Sequence, residues 1–170
     1  IPKIPVFDWK SYFRRLLGTS VITLPKHTRK RPSKRFDEAA GRKHIHKSHL
    51  LIAIDTSGSV STRELKEFYG ELTFIHKSGV ITMDVAQFDY DLYTPKPFTN
   101  SLPEICGRGG TSFSAPIEYF NNHREYDYIV IFTDGYAEPV GARMNKVIWV
   151  ITKNGNQRAA DFPGKTVFIK

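Results

Sequence analysis

Two short apolar runs, Leu50 to Ile54 (LLIAI) and Tyr128 to Phe132 (YIVIF), each end in an acid: Asp55 directly after the first, Thr133-Asp134 after the second. An unbroken apolar run of this length reads as a strand buried on both faces, the pattern of a parallel sheet covered by helices. A half-solvated strand would alternate apolar and polar residues instead. The residues after the first run supply a helix. Ser61 with Glu64 three positions later is a capping box. Leu65, Phe68, Leu72 and Ile75 recur at helical spacing, and Gly79 ends the segment. A second helix is read over Ser114 to Asn122, with Pro116 in its first turn. The expectation is an α/β fold: a mostly parallel central sheet with one antiparallel edge strand and helices on both faces. Ligands of such sheets collect outside the carboxyl ends of the strands, where the strand order reverses. The two runs ending in Asp are therefore read as adjacent central strands.

Three separated places at those ends carry oxygen donors. Asp55-Thr-Ser57-Gly-Ser59 follows the first strand, Thr111 lies in Gly109-Gly110-Thr111-Ser112, and Asp134 lies in Thr133-Asp134-Gly135. Asp55, Ser57 and Ser59 are two apart, so an extended chain aims them to one side, and Gly58 permits a tight turn between them. Hydroxyls and carboxylates suit Mg²⁺, Mn²⁺ or Ca²⁺ rather than Zn²⁺. Mg²⁺ takes octahedral oxygens at about 2.0–2.1 Å and gives up water reluctantly. Ser57, Ser59 and Thr111 are the expected direct ligands. Asp55 and Asp134 are expected to act through water, holding the serines and balancing charge. One position is left for a partner's carboxylate. Each residue alone has a plainer reading, since Ser, Thr and Asp in loops commonly cap helices and turns; their joint order sets them apart.

This trio resembles the metal-ion-dependent adhesion site of von Willebrand factor A (VWA) domains, over roughly Ser48 to Lys170. Asp55, Ser57, Ser59, Thr111 and Asp134 match that motif without departure. The resemblance implies a Rossmann-like sheet and a protein-binding metal site. A narrower similarity comes from the flanks: Trp9-Lys-Ser-Tyr-Phe-Arg-Arg-Leu-Leu, Arg31-Pro-Ser-Lys-Arg-Phe36, DTSGSVS and TDGYAEP. These resemble bacterial VWA-like proteins with a predicted metallopeptidase-like N-terminal domain and a C-terminal VWA-like part. The chain itself has no HExxH. Starting at Ile1, it reads as a fragment. The resemblance also implies a MoxR-type AAA ATPase as partner.

The remaining chain is read more coarsely. Residues 1–47 form a basic N-terminal extension, and residues 48–170 the VWA-like domain. Phe7 to Leu17 is a short amphipathic helix, capped by Asp8 and burying Trp9, Tyr12, Phe13, Leu16 and Leu17. Lys26 to Lys47 is basic and reads as a loop or extended arm. Ile81 to Phe88 is a strand, with Asp91 to Thr94 its antiparallel partner across a tight turn. Pro95 to Gly110 is loop. Lys146 to Thr152 and Thr166 to Ile169 are the last strands, and Ala137 to Asn145 and Gln157 to Asp161 weaker connecting helices. With 170 residues, 40% of them hydrophobic, the chain suffices for one sizeable core. No apolar run approaches the roughly 18–20 residues of a membrane span. A single cysteine, Cys106, excludes an internal disulfide and points to a reducing, cytoplasmic setting. Cys106 is read as filling a gap rather than as a reactive thiol. His44, His46 and His49 do not share one face of an extended chain and lack a patterned fourth zinc ligand. Asp84, Asp89 and Asp91 lack EF-hand spacing and read as a solvated hairpin, and Glu138 as a surface residue.

Three functions compete. The first is a metal-dependent module that captures an acidic side chain of a partner protein. The second is nucleic-acid binding through the basic 26–47 segment, where much of the net charge of +8 lies; a solvated arm is the plainer reading, and no nucleic-acid motif is present. The third is Mg²⁺-dependent phosphoryl transfer from Asp55. Against an enzyme, Ser57 stands where a second acid would, and neither a phosphatase-type lysine nor a Cys–His or Ser–His nucleophile pattern appears.

Overall fold

The computed structural model describes residues 8–20, 28–33, 36–41, 48–77, 79, 81–107 and 109–169. Helix α1, Trp9–Ser20, starts at Asp8, whose Oδ1 accepts hydrogen bonds from the N–H groups of Lys10 (3.1 Å) and Ser11 (3.3 Å). Strands β1, Thr28–Ser33, and β2, Phe36–Gly41, pair antiparallel with an irregular register. The segment expected as a loop or arm thus carries a hairpin. Its ladder forms without the apolar alternation by which a strand is recognised, so Thr-Arg-Lys-Arg-Pro-Ser offered no period to read.

The other elements are β3 (Ser48–Asp55), α2 (Thr62–His76), β4 (Ile81–Phe88), β5 (Lys96–Pro97), α3 (Ser114–Asn122), β6 (Tyr128–Thr133), β7 (Val147–Ile151) and β8 (Lys165–Phe168). They form a six-stranded sheet in the order β5-β4-β3-β6-β7-β8. Strand β5 runs antiparallel to β4, and the other pairings are parallel. The antiparallel edge is Lys96–Pro97 rather than Asp91 to Thr94, where Leu92 makes only an isolated bridge to Phe88. That bridge is made by two backbone bonds, from the Asp89 N–H to the Asp91 carbonyl (3.1 Å) and from the Tyr93 N–H to the Gln87 carbonyl (2.9 Å), while the Asp91 N–H turns in to Asp89 Oδ1 (3.1 Å). The pairing stops at this single bridge, and the two-residue ladder forms further on, at Lys96–Pro97. The helix expected over Ala137 to Asn145 shrinks to a 3-10 turn, Arg143–Asn145, because Pro139 and Gly141 interrupt the segment. Gln157–Asp161 is likewise a 3-10 turn.

Strand β3 divides the core. Leu50, Ile52 and Ile54 face one side, with Leu65, Phe68, Leu72 and Ile75 of α2 in the same cluster. Leu51 and Ala53 face the other, with Phe113 beside α3 and Ile117 and Phe120 within it. Both faces being dry from Leu50 onward, the strand has no polar position between His49 and Asp55, which is why that stretch reads as an unbroken apolar run. Helix α1 belongs to the first face. Phe13 and Leu17 are fully buried there, the rings of Phe13 and Phe68 lie 6.0 Å apart, and Lys10 Nζ pairs with Glu67 at 3.0 Å. Arg14 grips the buried Glu71 carboxylate through two nitrogens, Nη2 at 2.9 Å from Oε2. A buried carboxylate is tolerated when paired and hydrogen-bonded in this way. From β3 the chain passes through α2 to β4 on one side, while β6, β7 and β8 extend the sheet on the other. The strand order reverses between β3 and β6, so their carboxyl ends form the crevice in which the candidate residues lie. Among the described residues no helix is long and apolar enough to cross a membrane.

Candidate metal centre

Asp55 ends β3 and is 1% exposed. Its Oδ1 accepts from the Ser57 N–H at 2.9 Å, and its Oδ2 from the Thr133 hydroxyl at 2.6 Å. Ser57 Oγ and Ser59 Oγ lie 3.1 Å apart. The chain bends here, so a turn, not extended alternation, brings the two hydroxyls together. Gly58 has ordinary φ and open space around it, so the bend does not demand glycine. Thr56 clamps the loop to the end of β4, its N–H and hydroxyl reaching the Phe88 carbonyl at 3.0 and 3.1 Å. The Ser61 half of the capping box forms, Ser61 Oγ accepting from the Glu64 N–H (3.3 Å); Glu64 Oε2 takes the Ser61 hydroxyl (2.6 Å) in place of the Ser61 N–H.

Asp134 follows β6 and is 5% exposed. Its Oδ1 accepts from the Tyr136 N–H (3.3 Å), and its carbonyl accepts from the Asn156 N–H (2.7 Å). The chain after β7 passes so close that a Cβ on Gly155 would lie 2.7 Å from the Asp134 carbonyl oxygen and 2.5 Å from Ile151 Cγ2. Only glycine fits there without displacement. Thr133 links the two acids, donating to Asp55 while its hydroxyl accepts from the Gly135 N–H at 3.1 Å.

Burial pushes the Asp55 carboxyl up from its ordinary value, and the nearby Asp134 charge adds to this; hydrogen bonds from Thr133 and Ser57 pull the other way without reversing it. Among the described residues neither Asp55 nor Asp134 pairs with a cationic side chain. Two buried carboxylates in one crevice with no positive partner make a site that a cation would complete. The donors are oxygen only, as a hard dication requires.

Thr111 is half-buried in the loop before α3. Among the described residues no hydrogen bond joins it to the other four. Its loop is tied to the end of β4 by the Ser112 N–H, which donates to the Asp89 carbonyl at 2.9 Å. Tyr90 lies against the same loop, its hydroxyl 2.5 Å from where a Cβ on Gly110 would sit. The structure thus gathers Asp55, Ser57, Ser59 and Asp134 and holds Thr111 on an adjoining loop. Sequence reasoning missed three supports: Thr133, Asn156 and Asp89. Thr133 stood inside the quoted motif, but Asn156 and the Asp89 carbonyl carried no signal.

The other candidates resolve differently. His44 and His46 lie outside the described residues. His49 is in β3, its Nε2 3.1 Å from Asp84 Oδ2, and the Tyr126 hydroxyl donates to the same oxygen at 2.8 Å. Asp84 is therefore part of a half-buried polar cluster, not of a solvated hairpin. Cys106 is exposed rather than filling a gap. Glu138 is exposed, as expected. Among the described residues no three His, Cys, Asp or Glu side chains come together as a metal cluster; the candidate centre is made instead of two carboxylates with hydroxyls.

An uncharacterized protein of Thermotoga maritima is 27% identical over 157 residues, covering 90% of this chain and 39% of that protein. The chain therefore spans well under half of that relative's length. The crystal structure of the ArnB paralog VWA2 from Sulfolobus acidocaldarius aligns with a TM-score of 0.41 and 14% identity, over 72% of this chain and 41% of that one. The profile of the VWA-like domain family (DUF2201) matches residues 50–170, and the chain belongs to that family.

Proposed function

We propose that the chain is a divalent-metal-dependent protein-binding module. In this reading Mg²⁺, with Mn²⁺ or Ca²⁺ as alternatives, is held by Ser57, Ser59 and Thr111. Asp55 and Asp134 act through water, and the remaining position takes an Asp or Glu of a partner. The observation that carries it is the pair of buried acids, Asp55 and Asp134, at the mouth between β3 and β6 with no cationic partner among the described residues. A VWA-like domain supports a protein-interaction role in general. A MoxR-type AAA ATPase is the proposed partner class. Residues 48–170 are taken as the VWA-like domain and 1–47 as its extension, in a longer protein with a metallopeptidase-like region and a cytoplasmic setting.

An enzymatic reading is less well supported. Ser57 stands where an acidic pair would carry its second carboxylate, and no phosphatase-type lysine pattern follows Asp55 in the sequence. The test is calorimetric titration with Mg²⁺ and Mn²⁺. Asp134→Ala is expected to abolish divalent binding while far-UV circular dichroism stays unchanged; unaltered affinity would refute the assignment. Partner capture from lysate is expected in Mg²⁺ and not in EDTA, and identical retained proteins in both would remove the site from the adhesive surface.

A further inference from the structure

The centre opens onto a cleft of about 390 Å³. Ser59 and Asp134 are among the residues that line it. Arg63, at the start of α2, Lys153, just after β7, Tyr136 and the buried Ile169 line the same cleft. These residues come from the segments after β3, β6, β7 and β8, all gathered at the carboxyl edge of the sheet.

The charges of this cleft are unequally engaged. Glu64 keeps its charge but is held in place: one carboxylate oxygen accepts from the Ser61 hydroxyl at 2.6 Å, the other from the Lys153 N–H at 2.7 Å. Glu67 pairs with Lys10 at 3.0 Å. Arg63 and Lys153 are exposed, and neither side chain has an ion-pair partner among the described residues. The lining therefore presents two uncommitted cations a short way from the mouth of the centre. Tyr136 is 69% exposed, and Tyr90, against the loop that carries Thr111, is 66% exposed. Large exposed aromatics beside a polar cleft are a mark of protein recognition. A cation pair with a tyrosine fits an acidic polypeptide by charge and by surface.

We propose that the cleft holds a second acidic group of the same partner segment, engaged by Arg63 and Lys153 while Tyr136 packs against the segment between the two acids. This rests on the metal-capture reading above and narrows it: the partner is a di-acidic peptide stretch, not any lone carboxylate. Two partly exposed ion pairs at about 0.2–1 kcal/mol each amount to roughly a two- to thirtyfold gain in affinity. The gain shrinks as salt rises.

The test uses Mn²⁺ alone and two fluorescent Gly/Ser peptides, one with a single Asp and one with an Asp and a Glu at varied separations. In the full chain with Mn²⁺, the di-acidic peptide at its best separation is expected to bind about tenfold tighter than the mono-acidic one. Arg63→Gln with Lys153→Gln is expected to erase that difference while Mn²⁺ titration is unchanged. Tyr136→Ser is expected to weaken both peptides. If Mn²⁺ does not bind the unmodified chain, the metal reading fails and this inference with it. If Mn²⁺ binds but the two peptides bind alike, or the double variant keeps the difference, only this inference is overturned. Tighter retention of poly(U) than of the di-acidic peptide, lost in the Arg63→Gln with Lys153→Gln variant, would assign these two cations to nucleic acid and also overturn it.

Discussion

Thr133 decides how the two acids of the centre face each other. Its side chain is fully buried, donates to Asp55 Oδ2 at 2.6 Å and accepts from the Gly135 N–H at 3.1 Å. Valine has the same shape and neither capacity. A buried polar group left unsatisfied costs about 1–3 kcal/mol. Thr133→Val is therefore expected to lower unfolding stability by about that amount in urea titrations and to weaken Mg²⁺ binding, with Thr133→Ser restoring both. Stability lost without any change in Mg²⁺ affinity would separate Thr133 from the centre. The sequence made Asp55 and Asp134 legible because a carboxylate at the tip of an apolar strand is conspicuous. Threonine at a strand end is common for reasons of β preference alone, so its role stayed hidden. Asp84 misled for a related reason: its partners, His49 and Tyr126, lie 35 and 42 residues away in the chain.

Among the elements, α1 shows what periodicity can and cannot tell. Tyr12, Phe13 and Leu17 announce that one face of this helix is buried, and Phe13 and Leu17 are. They do not say against what. The answer is the face shared with α2 and β8, where the Arg14–Glu71 pair and the contact between the rings of Phe13 and Phe68 fix the docking. Truncating a fully buried phenylalanine typically costs about 3–5 kcal/mol. Phe13→Ala is expected to cost about that much in chemical denaturation while leaving Mg²⁺ affinity of the folded protein unchanged. A loss under about 1 kcal/mol would mean that α1 does not dock as described. In the large sheet β3, β6 and β7 were legible because burial on both faces writes itself as an uninterrupted apolar run. The β1–β2 hairpin and the two-residue β5 were not, because a few backbone hydrogen bonds impose no side-chain pattern.

At the scale of the molecule, the candidate centre joins segments that the fold brings together only at the mouth between β3 and β6. An ion bound there stabilises the folded chain by mass action, about 2.7 kcal/mol at one hundred times its dissociation constant. For a chain of 170 residues that corresponds to roughly 5–10 °C in melting temperature. Thermal unfolding in excess Mg²⁺ is expected to run higher than in EDTA by that margin, and Asp134→Ala to show no difference between the two. Coincident melting curves for the unmodified chain would argue against a resident ion. The family match begins at residue 50, whereas Phe13 and Leu17 roof part of the sheet from well upstream. A recombinant piece cut to the family boundary would bare an oily flank and clump, and its silence in a pull-down would then be mistaken for poor taste in partners.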